Sequence, residues 1–328
     1  MMTPVKVLLT GGTGFFGRAL LRTWQAQAIK GAAVERVTVL SRDPNSFLLR
    51  YPGFQNVPWL TFHTGDICDP SSLPLDKPFT HVLHAAADSV PGFGLTQLAR
   101  YQQVVEGTRN LLQFAATVGA RRFLFTSSGS IYGPQPPEVE ALSEDWPGSP
   151  DLRTPANAYS LGKRAAEHLC ALYQDAYGLE VVIARCFAFV GRDLPLDAHF
   201  AIGNFIRDAL FRDAIDVVGD GSPLRTYLDQ DDLAQWLLTL LERGRPGEAY
   251  NVGSDEVISI AELAHLVRDL LAPHKPVIIR GQCTDSQGRN RYVPDIRKIK
   301  SELGLGVSIP LAEAIRRTGA AHRAPLIS

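Results

Sequence analysis

Tyr159 and Lys163 stand four positions apart in Tyr159-Ser160-Leu161-Gly162-Lys163, which puts a phenol and an ammonium on one helix face, about one turn apart. A positive charge at that distance stabilises phenolate, so the pair suits proton transfer near neutral pH. Oxidation of a carbinol carbon needs such a partner, because the hydroxyl proton must pass to a base as hydride leaves carbon. A solvated helix face also produces this spacing, and the chemical reading draws its weight from a second motif far upstream.

That motif begins in the apolar run Val5-Lys6-Val7-Leu8-Leu9, which passes directly into Thr10-Gly11-Gly12-Thr13-Gly14-Phe15-Phe16-Gly17 and then into a helical pattern. Gly11 permits a tight turn, Gly14 lets backbone approach a pyrophosphate without an intervening Cβ, and Gly17 lets the helix lie close to the strand. The helix start adds unpaired N–H groups and a positive dipole end. Residues Gly11, Thr13, Gly14, Phe15, Phe16 and Gly17 are therefore expected to cradle a dinucleotide. The next apolar strand ends in Val39-Leu40-Ser41-Arg42-Asp43. With no acid at its tip, Ser41 and Arg42 suit a 2′-phosphate, so NAD(P) is expected with a lean to NADP. Asp43, one or two positions late, keeps NAD open.

The elements that must position these groups are legible as alternation. Apolar strands near 5–10, 36–40, 80–84, 121–126 and 180–185 are separated by helical patterns near 15–28, 99–118 and 157–178. Such alternation implies right-handed crossovers and a doubly wound α/β fold with a parallel sheet. The proline-rich segment 134–157 reads as a loop. Beyond residue 185 the helical patterns at 200–212, 230–243, 259–272 and 310–318 flank short apolar pieces. The expected division is a dinucleotide-binding domain over 1–185 and a smaller mixed substrate lobe over 186–328, interleaved with the last strands of the sheet.

Bulk properties exclude several classes. The 328 residues include 33 basic and 34 acidic side chains, interspersed to a net charge of −1, which offers no footprint for nucleic acid. A hydrophobic fraction of 45% contains no run approaching the roughly 20 residues of a membrane span. The cysteines at 68, 170, 186 and 283 show no metal-ligand spacing and no disulfide framework. They fit reduced thiols, and with no signal-peptide pattern at the start the expected location is cytoplasmic.

Together the glycine turn, Tyr159/Lys163 and Phe123-Leu124-Phe125-Thr126-Ser127-Ser128-Gly129-Ser130-Ile131-Tyr132-Gly133 resemble the extended short-chain dehydrogenase/reductase family, of the nucleotide-sugar-modifying epimerase/dehydratase type. The resemblance spans most of the chain. It implies that Ser128 hydrogen-bonds the reacting sugar oxygen and shares the proton with Tyr159, while Lys163 also reaches the nicotinamide ribose. It further implies that Asp66 and Ile67 contact the adenine and that His84-Ala85-Ala86-Ala87 form a small-residue turn beneath the cofactor. In the second lobe the implied substrate contacts are Arg225 on the diphosphate, Arg289 or Arg291 near the nucleotide ribose, and His199 and Asn204 near the sugar. No metal site is implied. A homodimer through the helices near 99–118 and 157–178 is.

Departures from the family pattern narrow the reaction. Members that dehydrate a hexose carry an Asp-Glu pair directly after the hydroxyl residue, and decarboxylating members keep an acid there, whereas this chain has Gly129 and Ser130. Val104 and Ala188 replace two asparagines usual in the family. The resemblance then implies a nucleotide-sugar epimerase acting at C4 through a transient keto-sugar. An NADPH-dependent 4-ketoreductase is the alternative, and a non-catalytic dinucleotide-binding protein the third.

Overall fold

The structure is a computed structural model that describes residues 5–29, 34–86, 94–198, 200–281 and 291–323. Two compact units partition the chain: residues 1–131, 151–185 and 234–250 form one, and 132–150, 186–233 and 251–328 the other.

The first unit carries β1 (Lys6–Thr10), α1 (Phe15–Ile29), β2 (Arg36–Ser41), α2 (Pro44–Arg50), β3 (Leu60–Thr64), β4 (His81–His84), α3 (Gln97–Thr117), β5 (Arg122–Ser128), α4 (Ala158–Tyr177) and β6 (Glu180–Cys186). Its strands join the seven-stranded parallel sheet of a doubly wound α/β fold, ordered β3-β2-β1-β4-β5-β6, with Ala249–Val252 on the outer side of β6. The strand order reverses beside β1, so β1 and β4 flank the switch point at which such sheets bind ligands. The sequence pattern omits β3 and α2. β3 is a half-exposed edge strand, Leu-Thr-Phe-His-Thr, without a continuous apolar run, and α2 spans only seven residues.

One face of the sheet is sealed by α3 and α4. Leu8, Val82, Phe123 and Phe125 of the strands pack with Leu111, Leu112 and Phe114 of α3 and Ala166 and Cys170 of α4 in a single buried cluster. The helices approach closely at Gly162, where an added Cβ would lie 3.3 Å from the Val104 Cβ. The glycine between Tyr159 and Lys163 therefore sets how deeply α4 sits, and Val104 fills the space against it.

In chain order the remaining elements are β7 (Phe189–Val190), α5 (Ala201–Phe211), β8 (Ile215–Val217), β9 (Leu224–Arg225), β10 (Leu228–Asp229), α6 (Gln230–Arg243), β11 (Ala249–Val252), β12 (Ile258–Ser259), α7 (Ile260–Leu271), β13 (Val277–Ile279), β14 (Arg291–Tyr292), α8 (Arg297–Leu303) and α9 (Leu311–Arg323). Within the second unit the helices α5, α7 and α9 pack together, burying Ile202, Phe205, Leu263, Val267, Leu311 and Ile315. A three-stranded ribbon runs β12-β9-β14. Asn251, fully buried, ties together the carbonyls of Leu142 and Asp295 and the hydroxyl of Tyr132.

Candidate active site

The turn after β1 is shaped by the chain's own contacts at three glycines and left open at a fourth. Gly11 has φ 71°, and a Cβ there would lie 2.5 Å from the Ala85 carbonyl oxygen. A Cβ on Gly17 would lie 2.2 Å from the Gly12 Cα, and one on Gly12 would meet the Val39 side chain at 2.6 Å. Gly14 differs: its nearest neighbour is the Gly11 oxygen at 3.4 Å, an ordinary contact. The protein needs no glycine at 14 for its own packing, which is what a backbone cradle for an incoming phosphate requires. The Gly14 N–H donates to the Gly11 carbonyl at 3.0 Å, and α1 starts at once with Phe15. Thr13, Phe15 and Phe16 stand around the helix start, the two rings half-buried and 6.0 Å apart. These residues fit a dinucleotide pyrophosphate.

At the tip of β2, Ser41 is half-buried and Arg42 exposed. Asp43 caps α2, its carboxylate accepting the Ser46 N–H at 3.0 Å. Further along the same edge, the Asp66 carboxylate accepts the Cys68 N–H at 2.9 Å. Ile67 is buried against Gly107, and its carbonyl accepts from Asn110 Nδ2 at 3.0 Å. Asn110 carries no motif signal in the sequence. Gly107 and Asn110, three positions apart on α3, nonetheless act together, because both hold the Asp66-Ile67 loop.

β5 and α4 supply the hydroxyl, the phenol and the ammonium. Ser128 ends β5, buried, and its Oγ donates to Ser130 Oγ at 3.0 Å while accepting the Ser130 N–H at 3.2 Å. Tyr159 lies in the first turn of α4, half-buried against the core. Lys163 is 1% exposed. Its Nζ donates to the Thr126 carbonyl at 2.6 Å and stands 4.6 Å from the centre of the Phe125 ring and 5.8 Å from that of Tyr159. The charge-assisted bond and the aromatic face compensate the ammonium for the water it has lost.

Beneath this set the end of β4 is occupied by His84, buried, with its ring between the hydroxyls of Thr10 and Thr108. Burial, and then the charge of Lys163, hold its pKa well below the ordinary histidine value. Ala85 and Ala86 follow it and abut Gly11. Thr10, Thr108 and Thr126, whose hydroxyls organise this layer, carry no sequence signal, because each has a partner far away in the chain. Gly129 and Ser130 open a short 3-10 turn after β5, and no carboxylate follows Ser128 in it.

In the second unit Arg225 lies on β9, half-buried, with its Nη1 donating to the Leu224 carbonyl at 2.8 Å. The parallel register Arg291↔Leu224 and Tyr292↔Arg225 puts the two arginines on opposite faces of the ribbon. Arg291 donates to the Glu140 carbonyl at 3.0 Å. Asn204 is on α5, its Oδ1 accepting from Arg207 at 3.2 Å. Arg225 and Arg291 are thus not brought to one face. His199, Arg289, Ala87 and Cys283 lie outside the described residues. Among the described residues no His/Cys/Asp/Glu cluster could hold a metal, and no helix is long and apolar enough to cross a membrane.

Known proteins resemble this chain in sequence and in fold. The chain is 30% identical over 314 residues to UDP-glucuronic acid decarboxylase 1 of Danio rerio, covering 95% of this chain and 71% of that one. A dTDP-glucose 4,6-dehydratase from Streptomyces venezuelae, solved with NAD bound, superposes with a TM-score of 0.81 at 26% identity, covering 97% of each chain. UDP-glucose 4-epimerase of Thermotoga maritima has the same fold, with a TM-score of 0.81 at 21% identity over 97% of this chain and 99% of that one. A family model described as the NAD dependent epimerase/dehydratase family matches residues 7–253. The glycine turn at the switch point of a parallel sheet and this match over most of its length place the chain in the NAD-dependent epimerase/dehydratase family.

Proposed function

We propose that this protein is a nucleotide-sugar epimerase acting at C4, with a nicotinamide dinucleotide held by the first unit along Gly11–Gly17, Asp66, Ile67 and the His84-Ala85-Ala86 turn. The observation that carries the reading is the hydroxyl pair Ser128–Ser130 in the 3-10 turn after β5, where a dehydratase or decarboxylase of this family would present a carboxylate. With no acid there to remove a C5 proton or to expel a hydroxyl, the side chains support oxidation and reduction at a single carbon.

When bound, the dinucleotide supplies reversible acceptance of the hydrogen and electron pair from the sugar carbon. Tyr159 takes the C4 hydroxyl proton and later returns it. Lys163, its ammonium anchored on Thr126, stabilises the negative charge that develops on the phenol oxygen. Ser128 turns its hydroxyl from Ser130 to the sugar oxygen, and Ser130 N–H continues to hold the Ser128 oxygen in place. Arg225 supplies the charge for a substrate diphosphate, with Asn204 and His199 as further substrate contacts. The exposed Leu98, Tyr101, Leu172 and Tyr177 on α3 and α4 support pairing of two copies through these helices.

A second reading, an NADPH-dependent 4-ketoreductase, draws support from the tip of β2. Arg42 is exposed there, and the adjacent Asp43 is engaged as the α2 cap. A guanidinium without a competing acid suits a 2′-phosphate. The cofactor released from freshly purified protein tests both readings. Stoichiometric tightly bound dinucleotide, with interconversion of C4-epimeric sugar nucleotides, is the expected result. An empty site that prefers added NADPH and reduces a 4-keto sugar nucleotide would replace epimerase by reductase.

A further inference from the structure

His84 is a buried titratable group that the proposed proton transfers do not use. It is 2% exposed, with Nδ1 2.9 Å from Thr10 Oγ1 and Nε2 3.1 Å from Thr108 Oγ1. Counting protons decides which ring nitrogen carries the hydrogen. Thr108 Oγ1 donates to the Val104 carbonyl at 2.7 Å, which uses its only hydrogen. Towards the ring it must therefore accept, so Nε2 bears the hydrogen and Nδ1 accepts the hydroxyl hydrogen of Thr10. Thr10 Oγ1 in turn accepts the Ala86 N–H at 3.2 Å. Every bond runs in one sense: Ala86 to Thr10, Thr10 to His84, His84 to Thr108, Thr108 to Val104. The depressed pKa of His84 keeps the ring neutral, as this pattern requires.

The pattern touches the candidate site at two points. Ala86 N and Ala85 O lie 2.8 and 2.5 Å from where a Gly11 Cβ would be, so the position of the Ala85-Ala86 backbone shapes the glycine turn. The carbonyl of His84 accepts from Thr126 Oγ1 at 3.0 Å, and the carbonyl of Thr126 holds Lys163. The Phe125 ring lies 5.5 Å from the imidazole and 4.6 Å from Lys163 Nζ, centre to centre and centre to atom.

We infer that His84 is a positioning residue whose Nε2–H tautomer links Thr108 of α3 to Thr10 and Ala86, and so sets the glycine turn in the shape that receives the dinucleotide. The inference rests on the reading of this unit as the dinucleotide site. Its distinctive consequence is action at a distance. Without the Thr108 hydroxyl the Nε2–H has no acceptor, whereas a hydrogen on Nδ1 still meets Thr10 Oγ1, so the unpaired donor passes from the ring to the Thr10 hydroxyl. Nδ1–H then faces Thr10 Oγ1, which already accepts from Ala86, and the Thr10 hydroxyl hydrogen loses its acceptor. A change on α3 is thereby expressed at Gly11.

The test combines nitrogen-15 spectra of histidine-labelled protein with titration of the full chain by nicotinamide dinucleotide, after any retained cofactor is removed. The wild type should show His84 neutral with hydrogen on Nε2. Thr108→Val should move it to Nδ1 and weaken dinucleotide binding by about three- to tenfold, the scale of one disturbed buried hydrogen bond, while Thr108→Ser keeps both properties. Thr10→Val should weaken binding by a similar factor, and the double variant by no more than either alone, because the two hydroxyls act through one ring.

A wild-type ring that is charged or carries its hydrogen on Nδ1 overturns the inference, and this needs no variant to fold. So does Thr108→Val binding with wild-type affinity, or factors that multiply in the double variant; Thr108→Ala replaces Thr108→Val if the latter does not fold. Failure of the wild type to bind any nicotinamide dinucleotide overturns the reading of the site, and the inference with it.

Discussion

Lys163 Nζ donates to the backbone carbonyl of Thr126 across 2.6 Å, in surroundings that leave the lysine 1% exposed. This bond fastens α4 to β5 two residues before Ser128, so the helix that carries Tyr159 and the strand that ends in Ser128 are held by one joint. An ammonium so enclosed is costly unless paired. Its placement fixes the positive charge 5.8 Å from the Tyr159 ring rather than leaving it to a mobile side chain.

Removing either member of the Tyr159 and Lys163 pair should stop chemistry without emptying the dinucleotide site. Tyr159→Phe is expected to lower kcat by about 10²- to 10⁴-fold, the range of general acid–base catalysis, with dinucleotide affinity nearly unchanged. Lys163→Met should cost turnover on the same scale. It should also cost roughly 1–3 kcal/mol of stability, because the Thr126 carbonyl is left buried without its donor. Steady-state rates, dinucleotide titration and denaturant melts check these outcomes together; Tyr159→Phe with retained turnover would remove the phenol as the base.

Two glycines of one turn should fail in different ways. Gly17→Ala places a Cβ 2.2 Å from the Gly12 Cα, and backbone cannot yield as a side chain can. Overpacking of this kind costs about 1–3 kcal/mol or more, so a lowered Tm is expected. Gly14→Ala meets only the Gly11 oxygen at 3.4 Å and should melt like the wild type. Its defect should be confined to the dinucleotide, bound about tenfold or more weakly if the added methyl meets the pyrophosphate. Thermal melts set beside binding titrations separate the two.

Arg225→Ala should act on substrate rather than on the chemical step. Loss of a charge-assisted contact to a diphosphate is expected to raise KM by about ten- to a hundredfold, with a smaller change in kcat. An unchanged KM for sugar nucleotides would take Arg225 out of the substrate site.

Asp229 should make stability depend on pH in an unusual direction for a carboxylate. Burial, with the charges of Asp231 and Asp232 adding to it, raises its pKa from 3.8 to about 6 against the opposing hydrogen bond from the Asp231 N–H. The folded state therefore binds this proton more tightly than the unfolded chain. The contribution is complete below about pH 4 and is lost as pH rises through about 6. Asp229→Asn keeps an acceptor for the Asp231 N–H and has no charge to bury. It should gain on the order of 1–2 kcal/mol at pH 7.5 and nothing at pH 4. Urea melts of both proteins across that range would show curves that converge at low pH; parallel curves would contradict the assignment.

Asp43 and Arg291 show where local reading reaches its limit. In the sequence Asp43 stands a residue or two from the place of a ribose-binding acid, and only the fold shows its carboxylate used to cap α2. Arg291 and Arg225 both sit in segments suited to substrate phosphates. The register of β9 and β14 turns them to opposite faces and commits Arg291 to the Glu140 carbonyl. A cap and a strand register are decided by which atoms meet, and residue type alone does not say which.

The sequence by itself determined the doubly wound fold and singled out the glycine turn and the Tyr159/Lys163 pair as candidates, because apolar periodicity, glycine spacing and an i to i+4 pair are all local in the chain; Ser128 was named by the family resemblance. Only the tertiary structure decided how those groups are held. Thr10 meets His84 across 74 positions and Lys163 meets Thr126 across 37. Such bonds form because the parallel sheet brings the ends of β1, β4 and β5 side by side, and burial there makes each unpaired polar atom expensive. Distance along the chain hides these partners until the fold brings them together.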